Sequence, residues 1–243
     1  MTVYYIFYFL VFLVAFLYSS VGHGGASGYL ALLALFSYST ESMRSTALIL
    51  NIVVSLLAFI QFYRAGYFQW KLFFPFAITS VPAAFVGGLI SIDASLFKHI
   101  LAILLIIPVV KLIGLSPSRA NIEKPLHIYI ALMIGLLIGF ISGIIGIGGG
   151  IILSPVILLM NWANMKQTAA VSSLFILVNS IAGLAGIFTN PFHFESEMTL
   201  LVLLALAGGL TGAYLGAMKF NIPFLRKLLA VGLLIASIKL MSI

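Results

Sequence analysis

The chain has 243 residues with only 12 Lys and Arg, 5 Asp and Glu, a net charge of +7 and no cysteine, against a hydrophobic content of 63%. So few polar side chains cannot cover a water-soluble globule of this size. The missing cysteine excludes disulfides, thiolate metal sites and cysteine-relay chemistry. The basic excess fits helix ends held against a membrane better than a nucleic-acid surface, so no nucleic-acid partner is expected.

The first ten residues, MTVYYIFYFL, lack the basic flank and cleavage site of a signal peptide and read as the start of a first membrane helix, 3–21. After the glycine-rich GHGGASG comes a short apolar segment, 24–38, followed by helices expected at 45–63, 72–92 and 97–115. A polar stretch, SPSRANIEKP at 116–125, interrupts the hydropathy. Five segments then return, at 126–144, 148–162, 167–188, 198–218 and 223–242. The fifth segment of each half has a bare apolar core of only 11 residues, 100–110 and 228–238, but its basic ends can snorkel and let it span. The expectation is an all-α polytopic membrane protein of about 5+5 helices, with repeat 1 at 1–115, a linker at 116–125 and repeat 2 at 126–243.

The repeat is legible in its punctuation. Gly22, Gly24 and Gly25 match Gly146, Gly148 and Gly149 at an offset of 124. Beyond a short indel the offset reads as 128, pairing Asn51 with Asn179, Ser80 with Gly208 and Gly88 with Gly216. Five crossings per half would invert one repeat relative to the other, a recurrent transporter plan with its site near the membrane midplane. Placing the N- and C-termini outside puts Arg64, Lys71, Lys111, Arg119, Lys124, Lys166, Lys219, Arg226 and Lys227 inside and only Arg44, Lys98 and Lys239 outside. That arrangement obeys the positive-inside rule.

The short segments after each glycine cluster are too short to span comfortably, so their tips are expected to dip into the membrane from opposite faces. Glycine permits the sharp turn, and the helix that follows aims free N–H groups and its positive dipole end at a ligand, which favours an anion. Small residues four apart at Gly135, Gly139 and Gly143, and at Gly208, Gly212 and Gly216, read instead as helix-packing surfaces. The candidate anion cradle is therefore Gly22, Gly24, Gly25, Gly146, Gly148, Gly149 and Gly150. Asn51, Asn179, Ser27, Ser154, Ser172 and Ser173 are candidates to orient the substrate, since polar groups inside a membrane face the bundle interior or a cavity. His23 adds positive charge or carries a coupled proton, because imidazole titrates near neutrality. For each of these side chains a bland structural role, such as back-bonding to its own helix, is the competing reading. Leucine at Gly149 is expected to abolish transport without unfolding the chain. No Gly-Lys-Ser/Thr follows either glycine cluster, and no cofactor or metal site is expected.

The sequences GIGGGIILSPVILL at 146–159 and GHGGASGYLALLAL at 22–35 resemble the TauE/SafE sulfite-exporter permeases. So do the helices that follow, TAAVSSLFILVNS at 168–180 and STALILNIVVS at 45–55. The first copy departs from the pattern, with Ala26 at a glycine position, Ala31 matching Pro155, and His23 between glycines. The resemblance implies a multi-pass plasma-membrane permease for sulfite or an organosulfur anion, working by alternating access. Its partners would be a small anionic substrate and the lipid bilayer, with a homo-oligomer left open. Two other readings stand beside it. Gly25-Ala26-Ser27-Gly28 matches the G-x-S-G of rhomboid intramembrane proteases, with His127 as the available base, although the repeat maps Ser27 onto Ile151. A passive anion channel is the other.

Overall fold

The computed structural model describes residues 2–93, 95–97, 99, 100, 103, 124–189 and 197–218. The expected fifth helices, most of the 116–125 linker and residues 190–196 lie outside the described residues. Eight helices are described in full: α1 (Thr2–Ser20), α2 (Ala26–Leu35), α3 (Thr40–Arg64), α4 (Trp70–Leu89), α5 (Ile128–Ile145), α6 (Gly150–Leu159), α7 (Met165–Ile187) and α8 (Met198–Met218). Five of them, α3, α4, α5, α7 and α8, are long and apolar enough to cross a membrane. At 19 residues α1 measures about 28 Å, close to the hydrocarbon thickness of about 30 Å. The 10-residue α2 and α6 reach only about 15 Å and cannot span by themselves.

Helix ends follow local chemistry. Ser39 caps α3 by accepting from the Ser42 amide, and Asn164 caps α7 in a reciprocal box with Gln167. The cap at Ser39 starts α3 one turn earlier than hydropathy suggests, because Glu41 and Arg44 dilute the apolar signal there. Arg44, expected in an outside loop, is thereby drawn into the helix and buried. Outward faces of α1 and α5 carry Tyr4, Tyr5, Ile6, Phe9, Tyr129, Met133 and Leu137 exposed, the surface that lipid tails would cover.

The glycine ladders bring helices into backbone contact. A Cβ on Gly135, Gly139 or Gly143 of α5 would strike the carbonyl oxygens of Phe76, Ser80 and Ala84 of α4 respectively, so the two helices run parallel. Gly208, Gly212 and Gly216 of α8 meet Phe12, Phe16 and Ser20 of α1 in the same sense. Without a hydrophobic gradient inside lipid, such close approach supplies the dispersion contact that holds helices together. α8 also runs parallel to α3, with Gly209 against Val54 and Ala217 clustered with Phe62. α3 and α7 cross antiparallel: Leu48 clusters with Leu184, Asn51 bonds Ser180, and Phe62 packs with Ala169 and Ala170. Thus α1, α3 and α8 point one way, while α5, α7 and α4 point the other. One apolar cluster gathers α1, α2 and α3 around the second glycine turn, and another gathers α4, α5, α6 and α7.

Candidate functional site

Both glycine turns are built alike. Gly22 and Gly25 open and close the first with φ of 77° and 97°, and Gly146 and Gly149 do so in the second with φ of 84° and 76°. These left-handed conformations are cheap only for glycine. Gly25 and Gly149 are the N-caps of α2 and α6, and as glycines they offer no capping side chain of their own.

The two turns converge where α3 crosses α7. A Cβ on Gly24 would fall on the Asn51 carboxamide, and one on Gly148 would fall on the same carboxamide and on Ser180; both would also press on Ile176 at 3.0 Å. Asn51, 1% exposed, ties the assembly together. Its Oδ1 accepts from the Ala26 amide at 3.1 Å, the first residue of α2, and its Nδ2 donates to Ser180 Oγ at 2.8 Å. The backbone N–H groups of Gly24, Gly25, Gly148, Gly149 and Gly150 have no protein acceptor among the described residues. Buried amides in that condition are rare, since each forgoes the bond it would make to water. Tyr29 Oη beside Gly25 and Ser142 Oγ beside Gly149 are also buried without a partner.

A polar line runs across the first turn. His23 Nδ1 lies 3.1 Å from the Val21 carbonyl, which only accepts, so this nitrogen carries a proton. Its Nε2 lies 3.1 Å from Ser154 Oγ on α6, which is 2.7 Å from Ser172 Oγ on α7. A neutral imidazole therefore receives the Ser154 hydrogen, while an imidazolium donates and turns that hydroxyl toward Ser172. Protonation at His23 and the direction of the hydroxyl chain are coupled.

Other candidates sit elsewhere. Ser27 Oγ is 2.8 Å from Tyr18 Oη, and His127, the proposed base of a protease dyad, is the exposed N-cap of α5. Asn179 Nδ2 donates to the Phe175 carbonyl of its own helix, and Ser173 does likewise to Ala170. The Gly149 expectation changes too. A Cβ there would meet Ile138 at 2.7 Å and Phe175 at 2.9 Å, so leucine would disrupt packing as well as any ligand contact.

The pairing of the halves also needs correction. Gly22 abuts Ala169 and Gly146 abuts Arg44; both Gly24 and Gly148 face Asn51 and Ile176. The helix caps are Ser39 and Asn164. All of these relate α3 to α7 at an offset of 125, so Asn51 corresponds to Ile176 and not to Asn179. The offset of 128 fits α4 and α8, where Gly208 and Gly212 meet Ala15 and Ser19 as Ser80 and Ala84 meet Gly139 and Gly143. Sequence reasoning missed Ser180, and the matched cap motifs Ser39-x-x-Ser42 and Asn164-x-x-Gln167 were the signal that could have set the register.

The sulfite exporter TauE/SafE family model matches residues 7–240, nearly the whole chain. The chain belongs to the TauE/SafE family. It is 34% identical over 234 residues to "Probable membrane transporter protein y4hK" of Sinorhizobium fredii, covering 95% of each. It is 26% identical over 220 residues to "Probable membrane transporter protein YdhB" of Bacillus subtilis, covering 87% of this chain and 88% of that one. "Probable membrane transporter protein MJ0441" of Methanocaldococcus jannaschii is 25% identical over 189 residues, 73% of this chain and 70% of the other. No solved structure matches the chain. This TauE/SafE chain is thus a multi-pass membrane protein of a transporter family, with its two glycine turns meeting in the interior of the helix bundle.

Proposed function

We propose that the protein is a secondary transporter for a small oxyanion, sulfite or an organosulfur anion, carried across the plasma membrane by alternating access between two inverted repeats, with both termini outside. The observation that carries this reading is the set of five glycine amides without a protein acceptor at the convergence of the two turns. The starts of α2 and α6 lie beside turns that both reach Asn51, and the partial positive charge of a helix start suits an anion that must also leave. The opposed directions of α1 and α5, α3 and α7, and α4 and α8 support the inversion. Asn51 fixes the two turns relative to one another. His23 supplies charge for the anion when protonated, and the Ser154–Ser172 line gives its proton a defined partner. Among the described carboxylates, Asp93 and Glu197 sit at helix ends and Glu41 in the first turn of α3, which favours His23 as the proton-coupling group.

The test is reconstitution in liposomes with radiolabelled sulfite, alongside thermal-shift measurement across sulfite, sulfate, thiosulfate, sulfonates and carboxylates. Saturable sulfite or sulfonate flux that competing oxyanions inhibit is the expected result. Absence of flux for every anion, with no stabilisation by any, would end the proposal.

A further inference from the structure

Arg44 is the buried cation of the described bundle, 8% exposed in the second turn of α3. A guanidinium remains charged under all ordinary conditions, and a charge in such surroundings is costly unless something compensates it. Its two acceptors are neutral carbonyls: Nη1 donates to Ile90 at 3.1 Å, where α4 ends, and Nη2 to Gly143 at 3.0 Å, in the last turn of α5. Nε has no acceptor. The side chain also lines a cavity of about 370 Å³ with Thr40, Glu41, Ser91, Gly88 and Ile187 around it. Helix C-termini do favour a cation, so capping α4 and α5 is the plain structural account. The other half of the molecule weakens that account. At the corresponding position α7 has Ala169, which packs on Gly22 as Arg44 packs on Gly146. Among the described residues no cation takes the place of Arg44 there.

We infer that the cavity beside Arg44 is a docking site for a small oxyanion, held by the guanidinium with the Thr40 and Ser91 hydroxyls, on the side of the bundle where α3 begins. The backbone and Cβ of Arg44 pack on Gly146, the first residue of the second glycine turn, so the residue that forms the site also borders that turn. Its service as an entry station rests on the transport reading, whereas its affinity for an anion does not. Glu41, exposed in the same lining, opposes a second negative charge and keeps the binding weak enough to exchange.

Modification by methylglyoxal, followed residue by residue by mass spectrometry of the detergent-solubilised full chain, tests the site with sulfate and with methanesulfonate as probes, neither of which reacts with the reagent. Either anion should slow modification of Arg44 by about tenfold, the worth of a charge-assisted hydrogen bond. Exposed Arg64 should be unaffected, and chloride at equal ionic strength should protect neither. Glu41→Gln should lower the half-protecting concentration by about threefold through removal of a repelling carboxylate. An Arg44 that is not protected, that chloride protects equally, or that never reacts would overturn the inference. Liposome flux of the unaltered chain, measured beside this protection, separates the two readings. Protection that survives when flux fails keeps the site and removes the transport claim; flux without protection does the reverse.

Discussion

The two glycine turns begin and end alike, although Gly148 is left-handed with φ of 70° and Gly24 is not, and they differ more in what surrounds them. Gly22-His23-Gly24-Gly25 and Gly146-Ile147-Gly148-Gly149 both begin and end in the left-handed region, both precede a 10-residue helix, and both reach Asn51. Around the first turn, His23, Ser154 and Ser172 form a hydrogen-bonded line. The corresponding residues around the second are Ile147, Leu30 and Ala47, all buried in one apolar cluster. Conversely, the buried Arg44 beside the second turn answers to Ala169 beside the first. Across the two halves the element that needs geometry, the amide-lined turn, recurs, whereas the side chains around it diverge. In a carrier whose centre faces two compartments in succession, that divergence would give each face its own chemistry: a titratable line on one side and a fixed charge on the other.

The recurring turn is the first thing to break. Gly24→Ala would drive a methyl group into the Asn51 carboxamide at the meeting point of both turns. Overpacking of that kind costs about 3 kcal/mol, enough to lower the melting temperature in detergent steeply and remove flux. Gly66→Ala is the control, because Gly66 also has positive φ, at 79°, but nothing lies within 4 Å of its Cβ position. It should lose only about 1 kcal/mol of backbone strain. Equal losses at the two sites would mean that the turns are not packed through Asn51.

Asn51 against Asn179 is the next comparison. Asn51→Ala strands the Ala26 amide and the bond to Ser180, a loss of about 2 kcal/mol. Asn179→Ala removes a bond within one helix and an oxygen that already lacks a partner, for about 1 kcal/mol or less. Unfolding midpoints of the purified variants decide the order. This pair also shows how far the sequence reaches. Hydropathy placed eight helices close to their described bounds, and glycine clustering located both turns, because each rests on local composition. Long-range register is another matter. Matching Asn with Asn put the indel before α3, while the structure puts it after, where the chain between α7 and α8 is longer than that between α3 and α4. Nor could hydropathy show Arg44 buried, since charge lowers the local average whether or not the side chain finds a cavity.

His23→Gln addresses the polar line. Glutamine can still bond Ser154 but does not titrate. A sulfonate substrate keeps its own charge constant over the relevant range, so its flux reports the protein. In the parent chain flux should rise as pH falls from about 8 to about 6, because the imidazole gains the charge that favours an anion. The variant should be flat over the same range and about tenfold slower at the acid end, the loss of one charge-assisted contact. A variant that retains the slope would move the titrating group away from this turn.

The smallest effect should separate two neighbours. Ser172 and Ser173 are both fully buried on α7, yet the first continues the His23–Ser154 line while the second returns its hydrogen to Ala170 at 2.8 Å. A serine that bonds its own preceding turn contributes little to the helix and nothing to what lies outside it. Ser173→Ala should therefore shift stability by about 0.5 kcal/mol or less and leave flux and its pH slope unchanged. Ser172→Ala removes the terminal partner of Ser154, so the hydroxyl is left with His23 alone and an imidazolium finds no onward acceptor for the chain it reverses. The slope of flux against pH should then be shallower with the overall rate little altered. If the two alanine variants behave alike, the hydroxyl line is packing, and the contrast between the turns reduces to the imidazole itself.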